Sequence, residues 1–131
     1  MIARVSEKRT TEQVLSTMHP VVSEWFKAKF GQVTEAQAMA VPLIHAKKNV
    51  LVSSPTGSGK TLTAFLSILN ELTLLAEEGR LEDRIYAVYV SPLKALANDI
   101  NENLLRPLAE ISDLFEGKGL IPPDIKVAVR T

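Results

Sequence analysis

Eight consecutive residues have the types and order needed to hold a polyphosphate. Residues 54–61 read SPTGSGKT, which follows the phosphate-loop pattern of Gly, four residues and Gly-Lys-Ser/Thr, except that Ser54 replaces the first glycine. Glycines permit positive φ angles, so successive backbone N–H groups can point into one concavity that binds anions. A lysine adds charge for the outer phosphates, and a threonine hydroxyl can bind Mg²⁺. The pattern predicts a site for ATP and Mg²⁺ formed by Ser54, Pro55, Thr56, Gly57, Ser58, Gly59, Lys60 and Thr61, with Lys60 and Thr61 as the catalytic pair and Thr61 as the Mg²⁺ ligand.

The segments on either side of this loop predict the elements that position it. Residues 49–53 are apolar and β-branched, as in a strand buried on both faces, and a helical pattern runs from Gly59 to Gly79. The start of that helix would direct roughly half a positive charge at the phosphates. A glycine-rich turn with an incidental lysine is the alternative, but a buried strand followed by a long helix is the context typical of a nucleotide-binding loop.

The rest of the chain repeats this alternation. Further strands are predicted at residues 85–90 and 125–129. Further helices are predicted after Thr10 or Thr11, from Pro20 to Gly31, after Thr34 and after Ser91, with bends or breaks at Pro42 and Pro107. Alternating strands and helices predict an α/β fold, a parallel sheet flanked by helices. Three strands make a small sheet, and the last one ends close to Thr131. We therefore expect part of a larger domain.

Composition excludes several classes of protein. The chain has 131 residues, 46% of them apolar, with fifteen basic residues balancing fifteen acidic ones. A nucleic-acid site must therefore be a local patch and not a consequence of net charge. There is no cysteine and there are two histidines, which argues against a disulfide framework or a metal cluster. We see neither a signal peptide nor a membrane span, and expect a cytoplasmic protein.

Two flanking segments narrow the choice among proteins with such a loop. Residues 34–37 read TEAQ, and residues 89–99 read YVSPLKALAND. Together with the loop they resemble the superfamily 2 helicases: Thr34 and Gln37 match the Q motif, which reads adenine, and residues 91–99 match motif Ia, which contacts a nucleic-acid strand. The residues of motif Ia and the terminal VAVRT are most similar to those of the Lhr-type helicases, which are ATP-driven DNA translocases.

The resemblance implies a partial RecA-like domain spanning residues 1–131 and cut before motif II. It implies nucleic acid as the partner, with DNA favoured over RNA, and it assigns the strand contact to Ser91, Pro92, Leu93, Lys94, Asn98 and Arg130. Each segment also has a purely structural interpretation. Thr34 and Gln37 fit a capping box, which spacing alone favours over adenine contact. Ser91 and Pro92 fit a helix start, and Lys94 fits a solvated surface lysine.

Elements needed for ATP turnover are missing from the sequence. There is no Asp-Glu dipeptide, the pair that in these helicases holds Mg²⁺ and orients water. The arginine that stabilises the transferring phosphate belongs to a second motor domain in the family. We therefore predict nucleotide binding without turnover by this chain, within a parent ATP-dependent helicase. A non-catalytic nucleotide- or nucleic-acid-binding module, or a different P-loop NTPase such as a small kinase, is the alternative.

Overall fold

The computed structural model describes residues 3–4, 9–53 and 59–130. Five residues of the predicted phosphate loop, Ser54, Pro55, Thr56, Gly57 and Ser58, lie outside the described residues, as does Thr131. The helices are α1 (Thr11–Leu15), α2 (Pro20–Phe30), α3 (Glu35–His45), α4 (Lys60–Glu77), α5 (Leu93–Ile100), a π-helix (Asn101–Leu105) and α6 (Arg106–Gly117).

Local sequence signals explain where the first three helices begin and end. α1 and α3 each begin with a full capping box, Thr10 with Gln13 and Thr34 with Gln37. Pro20 occupies the first position of α2, where its missing N–H costs nothing, and Gly31 follows the last residue with φ 77°. These starts and stops are those that the sequence predicts.

The core lies where α4 packs against α3 and the π-helix, while α2 packs against α6. Leu66 and Leu69 of α4 and Val22 and Phe26 of α2 have no exposed surface. Trp25 is 4% exposed, so Trp25 and Phe26 are both core residues. None of the helices in the described part of the chain is long and apolar enough to cross a bilayer.

A buried histidine joins the start of α2 to α4. His19 is 3% exposed, and its backbone N–H donates to Asn70 Oδ1 at 2.7 Å. Its ring Nδ1 accepts the Val21 N–H at 3.1 Å, so the neutral ring carries its proton on Nε2. That nitrogen lies 3.0 Å from Glu77 Oε2, off the line of a straight hydrogen bond. His19 therefore connects the start of α2 to α4 and has a structural role.

Neither Pro42 nor Pro107 ends a helix. α3 runs through Pro42 to His45 without ending early. A proline cannot donate to the carbonyl four residues back, and that Ala38 carbonyl accepts the Arg9 N–H at 3.4 Å instead. Pro107 does not separate two helices either: the π-helix (Asn101–Leu105) joins α5 to α6 without a gap. The wider π turn accommodates the proline ring and the missing N–H.

No strand is formed within the described residues, so the predicted parallel sheet is not seen in the fold. The segments 49–53, 85–90 and 125–129, here called the extended segments after the strands predicted there, form neither helix nor strand, and each of their residues is half-buried or exposed. Tyr89, Ile125 and Val127 pack against the helical core. The opposite sides are open to solvent: the exposed fraction is 84% for Leu51 and 87% for Val90. Apolar patterning specifies which side chains face helices, but strand pairing also needs backbone partners alongside.

Candidate nucleotide and nucleic-acid site

The exit of the predicted phosphate loop requires a glycine for two reasons. Gly59 is the N-cap of α4 and has φ 85°, in the left-handed region that side chains disfavour. A Cβ built on it would lie 3.0 Å from Gln37 Nε2 and 3.6 Å from Thr34 Cγ2. Its carbonyl accepts the Thr63 N–H at 2.9 Å and the Thr63 hydroxyl at 2.7 Å. The backbone here therefore has a conformation that favours glycine over any residue with a Cβ.

Gln37 connects the start of α3 to the start of α4. Its side chain Oε1 accepts the Thr34 N–H at 2.9 Å, and its own N–H donates to Thr34 Oγ1 at 3.2 Å. The amide nitrogen faces Gly59, and the residue is 2% exposed. The capping box that spacing favoured is thus present, and it brings Thr34, Gln37 and Gly59 together. Adenine contact by Thr34 and Gln37 stays a prediction.

Lys60 and Thr61 occupy the first two positions of α4. Lys60 is exposed and Thr61 is half-buried. The N–H groups at a helix start have no partner within the helix, and because the N-cap is a glycine, no side chain of that residue can satisfy them. A helix start of this kind, beside an exposed lysine, favours the binding of anions. Phosphate binding by Gly59, Lys60 and Thr61 stays a prediction.

The Mg²⁺ side of this site has a single described candidate ligand, the Thr61 hydroxyl. Across residues 3–4, 9–53 and 59–130, no three His, Cys, Asp or Glu side chains gather where they could hold a metal ion. One protein hydroxyl together with phosphate oxygens and water is a common coordination for Mg²⁺. The donor set therefore fits a nucleotide-bound Mg²⁺ and does not form a dedicated metal centre.

The start of α5 differs from the sequence prediction. Pro92, not Ser91, is the N-cap, with φ −55° and ψ 139°, and the helix begins at Leu93. The Pro92 carbonyl accepts the N–H groups of Ala95 and Leu96 at 3.1 and 3.2 Å. The Ser91 hydroxyl donates to the Pro92 carbonyl at 3.4 Å and caps nothing. The extended ψ of Pro92 places it outside the helix, which moves the predicted start by one residue.

The predicted strand-contact residues lie mostly on the surface. Pro92, Leu93, Lys94 and Asn98 are exposed, and Ser91 is half-buried. Leu93 is 70% exposed, whereas Ile100 and Leu104 further along are buried. Arg130 is exposed, with its guanidinium donating to the Val129 carbonyl at 3.1 Å. Solvent access at the α5 N-terminus is what a contact to a strand backbone requires.

A contact that sequence reasoning missed links α4 to α5. The Tyr89 ring packs on Phe65 with centroids 4.8 Å apart, and the Tyr89 hydroxyl donates to Asp99 Oδ2 at 3.0 Å. The apolar pattern assigned Tyr89 to a strand and gave no partner for its hydroxyl. The sequence signal for this contact was a tyrosine in an apolar segment, whose hydroxyl needs a partner, ten residues before an aspartate.

Comparison with known proteins identifies the family. The DEAD/DEAH box helicase family matches residues 34–119, from the capping box of α3 to just beyond α6. This chain belongs to that family. A DEAD/DEAH box helicase domain has a RecA-like fold, and the helical layer described above is its helical part in this chain. The Lhr-type resemblance of the sequence is also confirmed by individual relatives.

Curated relatives are similar along the whole chain. The chain is 55% identical over 131 residues to the ATP-dependent helicase Lhr-Core of Methanothermobacter thermautotrophicus, covering 100% of this chain and 15% of the relative. It is 36% identical to the Lhr helicase/uracil glycosylase of Escherichia coli, over 86% of this chain and 8% of the relative. The chain thus spans a small part of the relatives that it matches.

A solved structure is similar in fold as well as in sequence. The Mycobacterium smegmatis helicase Lhr, solved bound to ssDNA and AMP-PNP, superimposes with a TM-score of 0.74 at 42% identity. The match covers 89% of this chain and 14% of that one. The DEAD/DEAH box helicase assignment therefore rests on sequence and on three-dimensional similarity.

Proposed function

We propose that this chain is the ATP-binding part of an ATP-dependent nucleic-acid helicase. In this proposal the backbone amides of Ser54, Pro55, Thr56, Gly57, Ser58 and Gly59 hold the phosphates. Lys60 neutralises the outer phosphates, and the Thr61 hydroxyl binds Mg²⁺. ATP supplies the phosphoanhydride bond whose hydrolysis drives the parent enzyme. Thr34 and Gln37 lie next to the adenine.

The close approach of Gln37 to Gly59 is the observation that carries this proposal. A side chain from α3 lies against the start of α4: a Cβ built on Gly59 would be 3.0 Å from Gln37 Nε2, so any larger residue at position 59 would have to displace the Gln37 amide. Gln37 is 2% exposed, so this contact is held by packing as well as by the capping box. A glycine held there keeps the end of the loop open for phosphates. Family membership supports the same role.

We propose that the nucleic-acid strand contacts the exposed start of α5. The free N–H groups of the first helical turn and the charge of Lys94 would bind the strand backbone, with Ser91, Pro92, Leu93 and Asn98 beside them, and Arg130 after the last extended segment. DNA is favoured over RNA, and the ssDNA named for the solved relative supports that choice. The proposed setting is the cytoplasm.

We further propose that the chain on its own binds nucleotide without hydrolysing it. No Asp-Glu pair is present in the sequence to hold Mg²⁺ and orient the attacking water. A second motor domain would have to supply the arginine that stabilises the transferring phosphate, a contribution worth about 10³–10⁵ in rate. Turnover by the parent enzyme therefore depends on parts that this sequence does not contain.

Titration with an ATP analogue and Mg²⁺ tests the proposal. Wild-type protein is expected to bind AMP-PNP, and Lys60→Ala is expected to weaken binding about tenfold or more, since a charged hydrogen-bond partner is lost. Lys27→Ala is the matched control, because it removes another exposed lysine, on α2. Equal affinities for Lys60→Ala and the wild type would refute the phosphate role. Equal binding of ATP, GTP and CTP would refute adenine recognition by Gln37.

Hydrolysis is measured on the same preparations. Release of inorganic phosphate should stay at the buffer background for the wild type with and without ssDNA. Phosphate release by the wild type that disappears in Lys60→Ala would show that the chain turns over ATP alone, which would overturn the no-turnover proposal while leaving nucleotide binding intact.

A further inference from the structure

Three side chains form a direct connection between the two proposed binding regions, here called the aromatic bridge: Phe65, Tyr89 and Asp99. Phe65 belongs to α4 and Asp99 to α5. Tyr89 lies in the extended segment before α5. Its ring is 4.8 Å from that of Phe65, tilted by 53°, and its hydroxyl donates to Asp99 Oδ2 at 3.0 Å.

One end of the aromatic bridge lies a single turn from the proposed Mg²⁺ ligand. Phe65 follows Thr61 by four residues, so the two side chains occupy the same face of α4. Phe65 is 2% exposed and belongs to the core that includes Leu62 and Leu66. Cores are packed to crystal-like density, so a shift of the first turns of α4 must displace the ring that rests on Phe65.

The other end lies on the helix that carries the proposed strand contacts. Asp99 follows Asn98 directly and comes just over one turn after Lys94. A hydrogen bond from a phenol to a carboxylate is more directional than apolar contact, and a charged acceptor strengthens it. Tyr89 thereby ties the orientation of α5 to the position of the Phe65 ring.

Packing alone would not need the hydroxyl. A phenylalanine at position 89 would keep the ring contact with Phe65, and Asp99 is half-buried, so it can be solvated without Tyr89. The hydroxyl–carboxylate contact is the one element of the aromatic bridge that spans from the extended segment to α5. Removing the hydroxyl alone therefore tests whether Tyr89 affects α5 through this hydrogen bond or only fills space in the core.

We propose that Tyr89 is a positioning residue that transmits nucleotide occupancy from α4 to the strand-contact surface of α5. This inference rests on the proposed function. Nucleotide binding that orders the start of α4 moves or fixes Phe65, Tyr89 follows through ring contact, and Asp99 carries the change into α5. The effect is a coupling between two ligands and is reciprocal by thermodynamic linkage.

Amide hydrogen exchange of α5, with and without AMP-PNP and Mg²⁺, tests the proposal on the protein as it is. In the wild type, nucleotide should slow exchange in residues 93–100 severalfold. In Tyr89→Phe that nucleotide-dependent difference should vanish while the affinity for AMP-PNP stays within about twofold. Tyr86→Phe is the matched control: its phenol accepts the Glu82 N–H at 2.8 Å, outside the aromatic bridge, and its response should equal that of the wild type.

The partner residue provides a second measurement. Asp99→Ala should abolish the α5 response as Tyr89→Phe does, and combining the two should add nothing, whereas Asp99→Asn keeps an acceptor oxygen and should retain part of it. The ratio of ssDNA affinities with and without AMP-PNP should fall toward one in the same variants, from a wild-type value in the usual coupling range of about 5–150-fold.

The outcomes separate the two claims. Wild-type protein that binds no nucleotide overturns the proposed function and this inference with it. Nucleotide binding without any change at α5 overturns the inference alone. A response in Tyr89→Phe as large as that of the wild type also overturns it, because the hydroxyl would then contribute only to packing.

Discussion

At the scale of single residues, Gly59 is where backbone conformation and side-chain packing make the same demand. Its φ of 85° favours a residue without a Cβ, and the amide of Gln37 would lie only 3.0 Å from a Cβ built there. The first demand belongs to every loop of this kind. The second is particular to the way α3 meets α4, and spacing in the sequence could not have revealed it.

Replacing Gly59 by alanine should therefore damage both stability and binding. The left-handed backbone costs about 1–2 kcal/mol with a Cβ present, and the contact at 3.0 Å forces Gln37 away. We expect a lower melting temperature and at least tenfold weaker AMP-PNP binding. Gly117→Ala is the control, since nothing lies within 4 Å of its Cβ. An unchanged AMP-PNP affinity in Gly59→Ala would contradict the role assigned to this backbone.

A second residue-scale prediction concerns Glu110, which joins α6 to α2. The Lys29 ammonium donates to Glu110 Oε1 at 2.6 Å and the Trp25 indole N–H donates to the same oxygen at 3.0 Å. The hydrogen bond from Lys29, more than that from Trp25, lowers the pKa of Glu110 from its ordinary value of 4.5, against the opposing effect of burial. Folding therefore favours the ionised carboxylate.

The sign of the resulting pH dependence follows directly. Since the folded pKa lies below the unfolded one, the stabilisation is complete above about pH 4.5 and is lost as pH falls through the folded pKa. In thermal melts below pH 4.5, Glu110→Gln should lose less stability on acidification than the wild type does. Glu116→Gln, an exposed change on the same helix, should follow the wild type. Parallel curves for Glu110→Gln and the wild type would refute the linkage.

At the scale of elements, helices were predictable and their pairing with strands was not. Caps at Thr10, Gly31 and Thr34 lie within a few residues of the bonds they make, and Pro20 marks the first position of α2, so the sequence shows these boundaries. The carbonyl freed by Pro42 is satisfied by Arg9, far away in the chain, and no local rule finds that partner. Strand pairing depends on neighbours in the same way. Apolar patterning therefore located the extended segments but could not determine whether they pair into a sheet.

Two capping boxes of the same composition allow a matched test at this scale. Thr10 with Gln13 begins α1, and Thr34 with Gln37 begins α3, but only the second touches Gly59. Thr10→Ala and Thr34→Ala should each cost about 0.5–2 kcal/mol of stability, because both remove an N-cap. Calorimetric melts combined with AMP-PNP titration should show that only Thr34→Ala also weakens nucleotide binding. Equal AMP-PNP affinities of the two variants would mean that Thr34 acts only as a helix cap.

At the scale of the whole molecule, side chains of the extended segments contact the helical core on one side, and the other side is open to solvent. Leu51, Ile85, Val88 and Val90 are each more than three-quarters exposed. Apolar surface of this kind, next to backbone groups without strand partners, favours association between chains. The molecule is thus expected to be more prone to self-association than its neutral net charge alone would make it.

Changing the exposed side should raise solubility without unfolding the chain. Val88→Thr combined with Val90→Lys removes apolar area that contributes nothing to the core, and sedimentation should show a smaller associated fraction at equal concentration. Ile121→Lys is the control, because it removes a 91% exposed apolar residue from the loop after α6. Equal effects of the two changes would mean that charge alone, and not the extended segments, controls association.

The length of α4 also determines how far charges act within the molecule. Its 18 residues extend about 27 Å, more than three Debye lengths at physiological ionic strength, where the Debye length is about 8 Å. Charges at its far end, Glu77 and Glu78, are therefore screened from anything bound beyond Gly59. Within α4, Lys60 and the first peptide dipoles therefore contribute most to the potential that an approaching triphosphate experiences. Altering the acidic end of α4 should leave anion attraction unchanged.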